Sequence, residues 1–386
     1  AYDILPRRLE NDKQFISSLV DNSADISKYS FGTKEFKASG QVYDYIIITN
    51  TDLKSSFQTL ANYIQSNRGL TVKIFDTADI YTIGRPYYQT GRDNQEKIRN
   101  FIKYAYTNWN TQYVLLGGYA NIIPVRYLQN PNPDEGPIPS DVYYSNLDGD
   151  WNYNGNNVFG EYHDGPGGGD IDTSAEVFVG RAPVWDSTDV NNLTNKIISY
   201  NQTTWKLKKA GFLGKQLNNY VPTWGGDGVD AIIRDCMPDD WEIRRFYERD
   251  NTYDISKILN YINEGTQLIS GLTHGGPESS LGLSIANVCS LRNTDYFLIY
   301  TQSCNGAAFD SPEDGKCIAE YFVTEPYASA AFIGNTRSGW YNPYSPEFGS
   351  SNVFHKEFFN ILFNQNVTIL GQAFHRHKDN LSIHRQ

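Results

Sequence analysis

Cysteine and methionine are both scarce in this sequence, with four Cys and one Met in 386 residues. The cysteines (Cys236, Cys289, Cys304, Cys317) include no C-x-x-C pair, so no metal-finger spacing exists and no disulfide scaffold is required. No run of 18 or more apolar residues occurs, so nothing reads as a membrane-spanning helix. The opening Ala1-Tyr-Asp-Ile-Leu-Pro lacks a basic-then-apolar pattern, and the expectation is that any targeting segment is absent or already removed. A G-x-S-x-G elbow, a Walker loop and H-E-x-x-H are missing, which removes the usual support for a serine hydrolase, a nucleotide enzyme or a zincin. Positive charge is in deficit: 33 Lys+Arg against 44 Asp+Glu give a formal −11. That balance argues against nucleic acid and anionic membrane as partners and leaves cationic substrates open.

What is present is globular. The chain is 39% hydrophobic and 20% charged, too apolar and too weakly charged for disorder. Residues 1–40 are polar, carry no sustained period and read as an N-terminal arm or pro-segment. From residue 41 apolar strands alternate with helical spacing. Strands are expected at 42–49, 70–75, 113–117, 176–180, 241–247, 266–273, 295–302 and 328–333. Helices are expected at 53–67, from Asp93 to about Trp109, and at 187–201, 254–263, 313–323 and 352–364. Strand–helix alternation means mainly parallel sheets covered by helices on both faces. The register changes near 202–212, which divides the chain into a first α/β half over 41–205 and a second over 206–386.

Two strand ends carry chemistry. Thr266-Gln-Leu-Ile-Ser-Gly-Leu-Thr-His274-Gly-Gly276 and Asp295-Tyr-Phe-Leu-Ile-Tyr-Thr-Gln-Ser-Cys304-Asn-Gly306 each end an apolar run on a reactive group next to small residues. Side chains just past the carboxyl ends of parallel strands line the ligand crevice of an open α/β sheet. If the strands are neighbours, imidazole and thiol meet there, and such a pair activates a cysteine nucleophile near neutral pH. Gly275 has no side chain to block access, so its N–H can point at a developing oxyanion. Taken singly, a strand-end histidine is more often a hydrogen-bonded structural residue and a buried cysteine a small hydrophobe.

Asp150-Trp-Asn152-Tyr-Asn154-Gly155-Asn156-Asn-Val-Phe-Gly-Glu161 fits D-x-[DN]-x-[DN]-G-x5-E, the twelve-residue calcium loop. Ligand oxygens fall at Asp150, Asn152, Asn154, the Asn156 carbonyl and Glu161, and Asp148 lies just outside. The competing reading is an Asn/Gly-rich surface loop. With two carboxylates inside the loop, affinity falls at the weak, extracellular end of the range. Trp224-Gly-Gly-Asp227-Gly reads as a glycine-rich turn with one acid. His375, His377 and His384 read as a solvated basic patch.

The sequence resembles the gingipain family of cysteine peptidases, in the clan that includes caspases and legumain. The resemblance runs over most of the chain after residue 40. It is carried by Val42-Tyr-Asp-Tyr-Ile-Ile-Ile-Thr, Tyr113-Val-Leu-Leu-Gly-Gly, Pro139-Ser-Asp-Val-Tyr-Tyr, Glu176-Val-Phe-Val-Gly-Arg, Thr273-His-Gly-Gly, Gln302-Ser-Cys-Asn-Gly and Phe332-Ile-Gly-Asn-Thr-Arg-Ser-Gly-Trp340. It implies a caspase-like three-layer α/β sandwich of two similar halves. It also implies His274 as acid/base, Cys304 as nucleophile, and an oxyanion hole from the N–H groups of Gly275 and Cys304. Asp227 and Trp340 would stand at a pocket for a basic P1 residue. No counterpart of the family's histidine-orienting carboxylate is evident; Gln216–Val221 offers amides instead.

The expectation is therefore a secreted or cell-surface cysteine endopeptidase, monomeric, stabilised by structural calcium and acting on peptides or proteins without a catalytic cofactor. A peptidase-like adhesion module and a latent zymogen crossed by residues 1–40 are the alternatives.

Overall fold

The structure is a computed structural model, and it describes residues 41–383 apart from 166–170, 173, 204–205 and 311–314. The arm expected over 1–40 and His384 lie outside the described residues. Residues 41–386 group as one compact unit containing two parallel sheets.

The first sheet is four-stranded. Its elements are β1 (Tyr45–Thr49), α1 (Gln58–Arg68), β2 (Val72–Asp76), α2 (Asn94–Trp109), β3 (Tyr113–Gly117) and β4 (Phe178–Ala182), in strand order β2-β1-β3-β4. The β1 run is continuously apolar because both its faces are covered: Ile46 and Ile48 join one core cluster and Ile47 another. Local signals set the helix ends. Asp93 caps α2 by accepting from the Glu96 N–H at 2.8 Å, and Gly69 ends α1 in the left-handed region at φ 66.

The linking helix α3 (Ser187–Thr203) leads into the second sheet. Its elements are β5 (Lys209–Gly214), α4 (Gly225–Cys236), β6 (Glu242–Tyr247), α5 (Ile255–Asn263), β7 (Leu268–Leu272), β8 (Phe297–Thr301), α6 (Ile318–Thr324) and β9 (Ser329–Ile333). They run in strand order β6-β5-β7-β8-β9, followed by α7 (Ser350–Phe359) and α8 (Leu370–Ile383). The sheets share a middle layer: Ile47 and Leu115 of the first cluster with Val323 of α6, and Phe332 of β9 packs against them. Lys196 of α3 is buried in that layer, donating to the carbonyls of Phe322 at 2.9 Å and Tyr327 at 3.1 Å.

The helix expected at 53–67 is split into Thr51–Lys54 and Gln58–Arg68, Leu370–Ile383 is a helix that was not expected, and two residue readings are overturned. Trp224-Gly-Gly-Asp227-Gly is not a turn but the start of α4. Its glycines serve close approach rather than flexibility: a Cβ on Gly225 would lie 1.9 Å from the Leu272 carbonyl, so the helix start packs backbone to backbone on the end of β7. The C-terminal histidines are not solvated. His375 and His377 are 2% and 3% exposed on α8, where the His375 Nε2 accepts the Val179 N–H at 3.1 Å. Four aromatic rings (Tyr300, Phe354, Phe358 and Phe374) pack within 6.4 Å of His377. Burial pushes both histidines down to about 3.

Candidate active site

Strands β7 and β8 are direct parallel neighbours, paired in constant register from Leu268 with Leu298 through Gly271 with Thr301. Continuing that register sets Thr273 against Ser303 and His274 against Cys304. The first of these pairs is bonded, Thr273 Oγ1 to Ser303 Oγ at 3.0 Å. Adjacent strands lie about 4.8 Å apart, so side chains at matching positions reach one another. Ser303 Oγ is fully buried, also touches Thr301 Oγ1 at 2.9 Å and accepts the Leu281 N–H at 3.2 Å. Beyond this knot the chain opens: His274 is exposed and Cys304 is half-buried. A Cβ on Gly275 would sit 2.6 Å from the Ser303 Cβ, so only glycine lets the turn after His274 lie this close to the cysteine loop.

Each reactive group has a backbone partner. His274 Nε2 lies 3.1 Å from the Leu217 carbonyl, which also accepts from Tyr341 Oη at 3.0 Å. A carbonyl only accepts, so this contact puts the imidazole proton on Nε2 and leaves Nδ1 for a thiol proton. That partner is a backbone dipole and not a carboxylate, and it comes from within the Gln216–Val221 stretch. On the other side the Gly339 N–H donates to Cys304 Sγ at 3.3 Å. The cysteine loop is clamped to the loop after β9. Asn305 N–H donates to the Arg337 carbonyl at 3.0 Å, Asn335 Nδ2 to the Gln302 carbonyl at 3.0 Å, and Arg337 pairs with Asp310 at 2.8 Å. Among the described residues, neither the Gly275 nor the Cys304 N–H has a hydrogen-bond partner in the chain.

Beneath the pair runs a buried chain that sequence reasoning missed. Gln302 Nε2 donates to Asn352 Oδ1 at 2.6 Å and to His355 Nδ1 at 2.7 Å. His355 therefore carries its proton on Nε2 and donates it to Ser270 Oγ at 2.8 Å. It stacks on Tyr300 at 4.0 Å, and burial holds it neutral, well below the usual imidazole range. The signal was available: Asn352 and His355 stand three apart on the face of α7 that otherwise buries Phe358 and Phe359. All four thiols are unbridged, and burial pushes up Cys236 (to about 11), Cys289 and Cys317.

Among the described residues no hydrogen bond or ion pair joins Asp227 or Trp340, the residues expected at a P1 pocket, to His274 or Cys304. Asp227 forms an ion pair with Arg249, which also holds Asp230 at 3.0 Å and Asp250 at 2.9 Å. Trp340 follows Gly339 directly and is 58% exposed.

In the twelve-residue loop at 150–161 the polar side chains bond to one another. Asn154 and Asn156 turn their amides to Glu161 Oε2 at 3.0 and 2.9 Å. Asn152 is 1% exposed, and neither its Oδ1 nor its Nδ2 has a partner among the described residues. Asp150 pairs instead with Arg92, and Asp148 lies 3.5 Å from Lys103 Nζ. Among the described residues no cluster of three His, Cys, Asp or Glu side chains forms a metal cage.

Comparison with known proteins bears on the fold and the family. A "Structure of Protease" superposes with a TM-score of 0.58 at 15% identity, covering 79% of this chain and 62% of that one. The complex of the Porphyromonas gingivalis RgpB pro- and mature domains gives 0.60 at 19%, covering 82% and 68%. The Arg-specific cysteine proteinase gingipain R (RGPB) gives 0.64 at 17%, covering 88% and 74%. At these identities the likeness is one of fold, the caspase-like α/β arrangement of parallel sheets flanked by helices. The chain spans about 62% of the length of the first of these structures. No curated protein matches the sequence. The profile of peptidase family C25, which is the gingipain family, matches residues 38–386, and the chain belongs to that family of cysteine peptidases.

Proposed function

We propose that this chain is a secreted or cell-surface, monomeric cysteine endopeptidase in which Cys304 attacks the scissile carbonyl and His274 moves the proton. The observation that supports the reading is the register of two adjacent parallel strands, Leu268 with Leu298 through Gly271 with Thr301, whose continuation brings His274 opposite Cys304. His274 Nδ1 takes the thiol proton, and the imidazolium is oriented by the Leu217 carbonyl at Nε2. The thiolate forms the acyl-enzyme while the N–H groups of Gly275 and Cys304 hold the oxyanion. His274 then protonates the leaving amine, and water releases the acid. Iodoacetamide tests this directly: Cys304 is labelled first and fast, and His274→Ala slows that labelling. Uniform slow labelling of all four thiols rejects the pair.

The P1 residue in this reading is basic. Asp227 already holds a guanidinium, that of Arg249, which supports its fitness for one, and Trp340 supplies a flat ring for stacking. Calcium is structural. The unpartnered buried Asn152, with Asn154, Asn156 and Glu161, fits an oxygen-seeking cation, and Asp150 would exchange Arg92 for it, with Asp148 adding a carboxylate. The ion would tie the loop down and takes no part in the chemistry. Chelation should lower the Tm and calcium restore it, by about 2.7 kcal/mol at a hundredfold excess over Kd, and Glu161→Gln should blunt the response. A melting curve unmoved by EGTA removes the ion. An extracellular setting suits a weak calcium site, and among the described residues no helix is long and apolar enough to cross a membrane.

A further inference from the structure

The second sheet and its connections keep large apolar side chains covered, with a local exception. From residue 206 onward the exposed large hydrophobics among the described residues are Tyr220 (99%), Trp340 (58%), Tyr344 (84%), Phe348 (67%) and, just before the C-terminal helix, Ile369 (42%). The four most exposed stand on two segments. One is the turn joining the short strands Gln216–Asn218 and Thr223–Trp224; the other is the 334–349 loop after β9.

These segments are the two that hold the reactive pair. The Leu217 carbonyl of the first accepts from His274 Nε2 and from Tyr341 Oη of the second. Thr223 Oγ1 of the first donates to the Pro343 carbonyl of the second at 2.6 Å. The second segment also donates the Gly339 N–H to Cys304 Sγ. Both are internally braced at the aromatic positions. Tyr220 N–H donates to Asn218 Oδ1 at 2.9 Å, Tyr344 N–H to Asn342 Oδ1 at 3.0 Å, and Phe348 N–H to the Ser345 carbonyl at 2.9 Å. The rings therefore project from a frame already set, which lowers the ordering cost of binding a partner. Tyrosine and tryptophan combine large contact area with few rotatable bonds, which makes them efficient contact residues.

We propose that Tyr220, Tyr344 and Phe348, continuous with Trp340, form apolar subsites. They would grip aromatic or large aliphatic side chains of an extended polypeptide substrate on either side of the scissile bond. The inference rests on His274 and Cys304 being the reactive pair. Continuity argues for the occupant: both segments bond through their backbone to that pair, so a chain bound across it would meet the segments that carry the rings.

The test uses two peptide sets matched at P1, one carrying Phe, Tyr or Leu at the three positions on each side, the other Ser or Gly. The protein is full-length, as Cys304→Ala and as Cys304→Ala with Tyr220→Ser, Tyr344→Ser and Phe348→Ser. All three positions are exposed, so an unchanged Tm is expected. The apolar-flanked set should bind the Cys304→Ala protein at least tenfold tighter than the Ser/Gly set. The triple substitution should erase that ratio. In the active background, the triple should raise KM for apolar-flanked peptides and leave the iodoacetamide rate at Cys304 unchanged. Equal Kd values for the two sets, or a ratio kept by the triple variant, overturns the subsites. A protein that dimerises through this surface, becoming monomeric in the triple, also overturns them by assigning the rings to a second copy. Failure of the peptidase reading looks different: no turnover by the parent enzyme, whatever the peptides' affinities.

Discussion

At the carboxyl ends of the first sheet, polar side chains are turned back on their own backbone. Thr49 Oγ1 donates to the Gly117 carbonyl at 2.6 Å, and Asn50 Oδ1 caps the next helix by accepting from Leu53 N–H at 3.1 Å. Asp76 uses one oxygen on Ala78 N–H and the other on Thr51 Oγ1. At the corresponding ends of the second sheet, the fully buried Ser303 ties β7 to β8. The residues just beyond it, His274 and Cys304, are left facing outward. Two parallel sheets of similar build thus differ in whether the side chains at the strand ends are turned inward or left accessible. Open α/β sheets bind ligands at those ends, so the sheet that keeps reactive groups accessible is the one that can act on something else.

The largest effect expected is a crossed result between the two ends. Cys304→Ala should reduce hydrolysis by at least about 10^4-fold with the Tm unchanged, since residues acting as a unit fail together. Asp76→Ala should do the reverse, removing about 1–2 kcal/mol of stability through the lost cap while sparing kcat/KM. Tm and peptide hydrolysis measured on both variants decide it. Activity lost through Asp76→Ala at an unchanged Tm would break the comparison.

Much of this contrast was legible beforehand, because strand ends are announced by apolar runs and glycine. The β7 and β8 segments could be read with their reactive residues because a continuous apolar run implies two covered faces. What stayed illegible depends on partners distant in sequence. The Leu217 carbonyl has no side-chain signature, so a backbone group orienting His274 leaves no trace in residue types. Gly225 and its neighbours read as a turn because glycine normally marks one, yet here the Leu272 carbonyl demands it. His375 and His377 looked solvated because histidine is commonly exposed, and nothing local reveals the aromatic box that α8 enters.

That box gives the next prediction, intermediate in size. His355, His375 and His377 are neutral and buried, with the last two held down to about 3 by burial. Between the unfolded value of about 6.5 and the folded one, the unfolded chain carries protons that the folded chain does not. Stability is therefore lost as pH falls through that window, by about 1.4 kcal/mol per pH unit for each histidine. Glu176 and Asp379 oppose this, because burial raises each to about 7 and the folded state takes up those protons first. A difference measurement isolates the imidazole. His377→Phe fits a ring among Tyr300, Phe354, Phe358 and Phe374, so relative to the parent it should gain stability steadily from pH 6.5 to 4.5 in urea titrations. A gap between the two proteins that stays constant over that range would show His377 protonated in the fold.

The smallest effect concerns an acid at the second sheet that its own chain has closed, as the first sheet closes Asp76. Asp227 stands in the first turn of α4, whose start packs on the end of β7, and its carboxylate is held by Arg249. Arg249 lies 5.2 Å over the Tyr247 ring and is shared with Asp230 and Asp250, so it is steadied whether or not Asp227 binds it. A P1 arginine reaching Asp227 must displace this internal guanidinium. Partly exposed pairs are weakly held, so displacement is feasible but discounts the preference. Arg249→Gln should therefore raise kcat/KM for P1 Arg over a neutral P1 by about two- to fivefold, the range expected for one such pair. Lysine should gain less, because an ammonium cannot make the bidentate contact. Asp227→Asn should remove the gain in the double variant. If neither substitution moves the Arg-to-neutral ratio, P1 is read elsewhere and Asp227 belongs with Asp76, an acid engaged only by its own fold. If Asp227→Asn lowers the ratio while Arg249→Gln leaves it alone, the pocket stands and the guanidinium is no competitor.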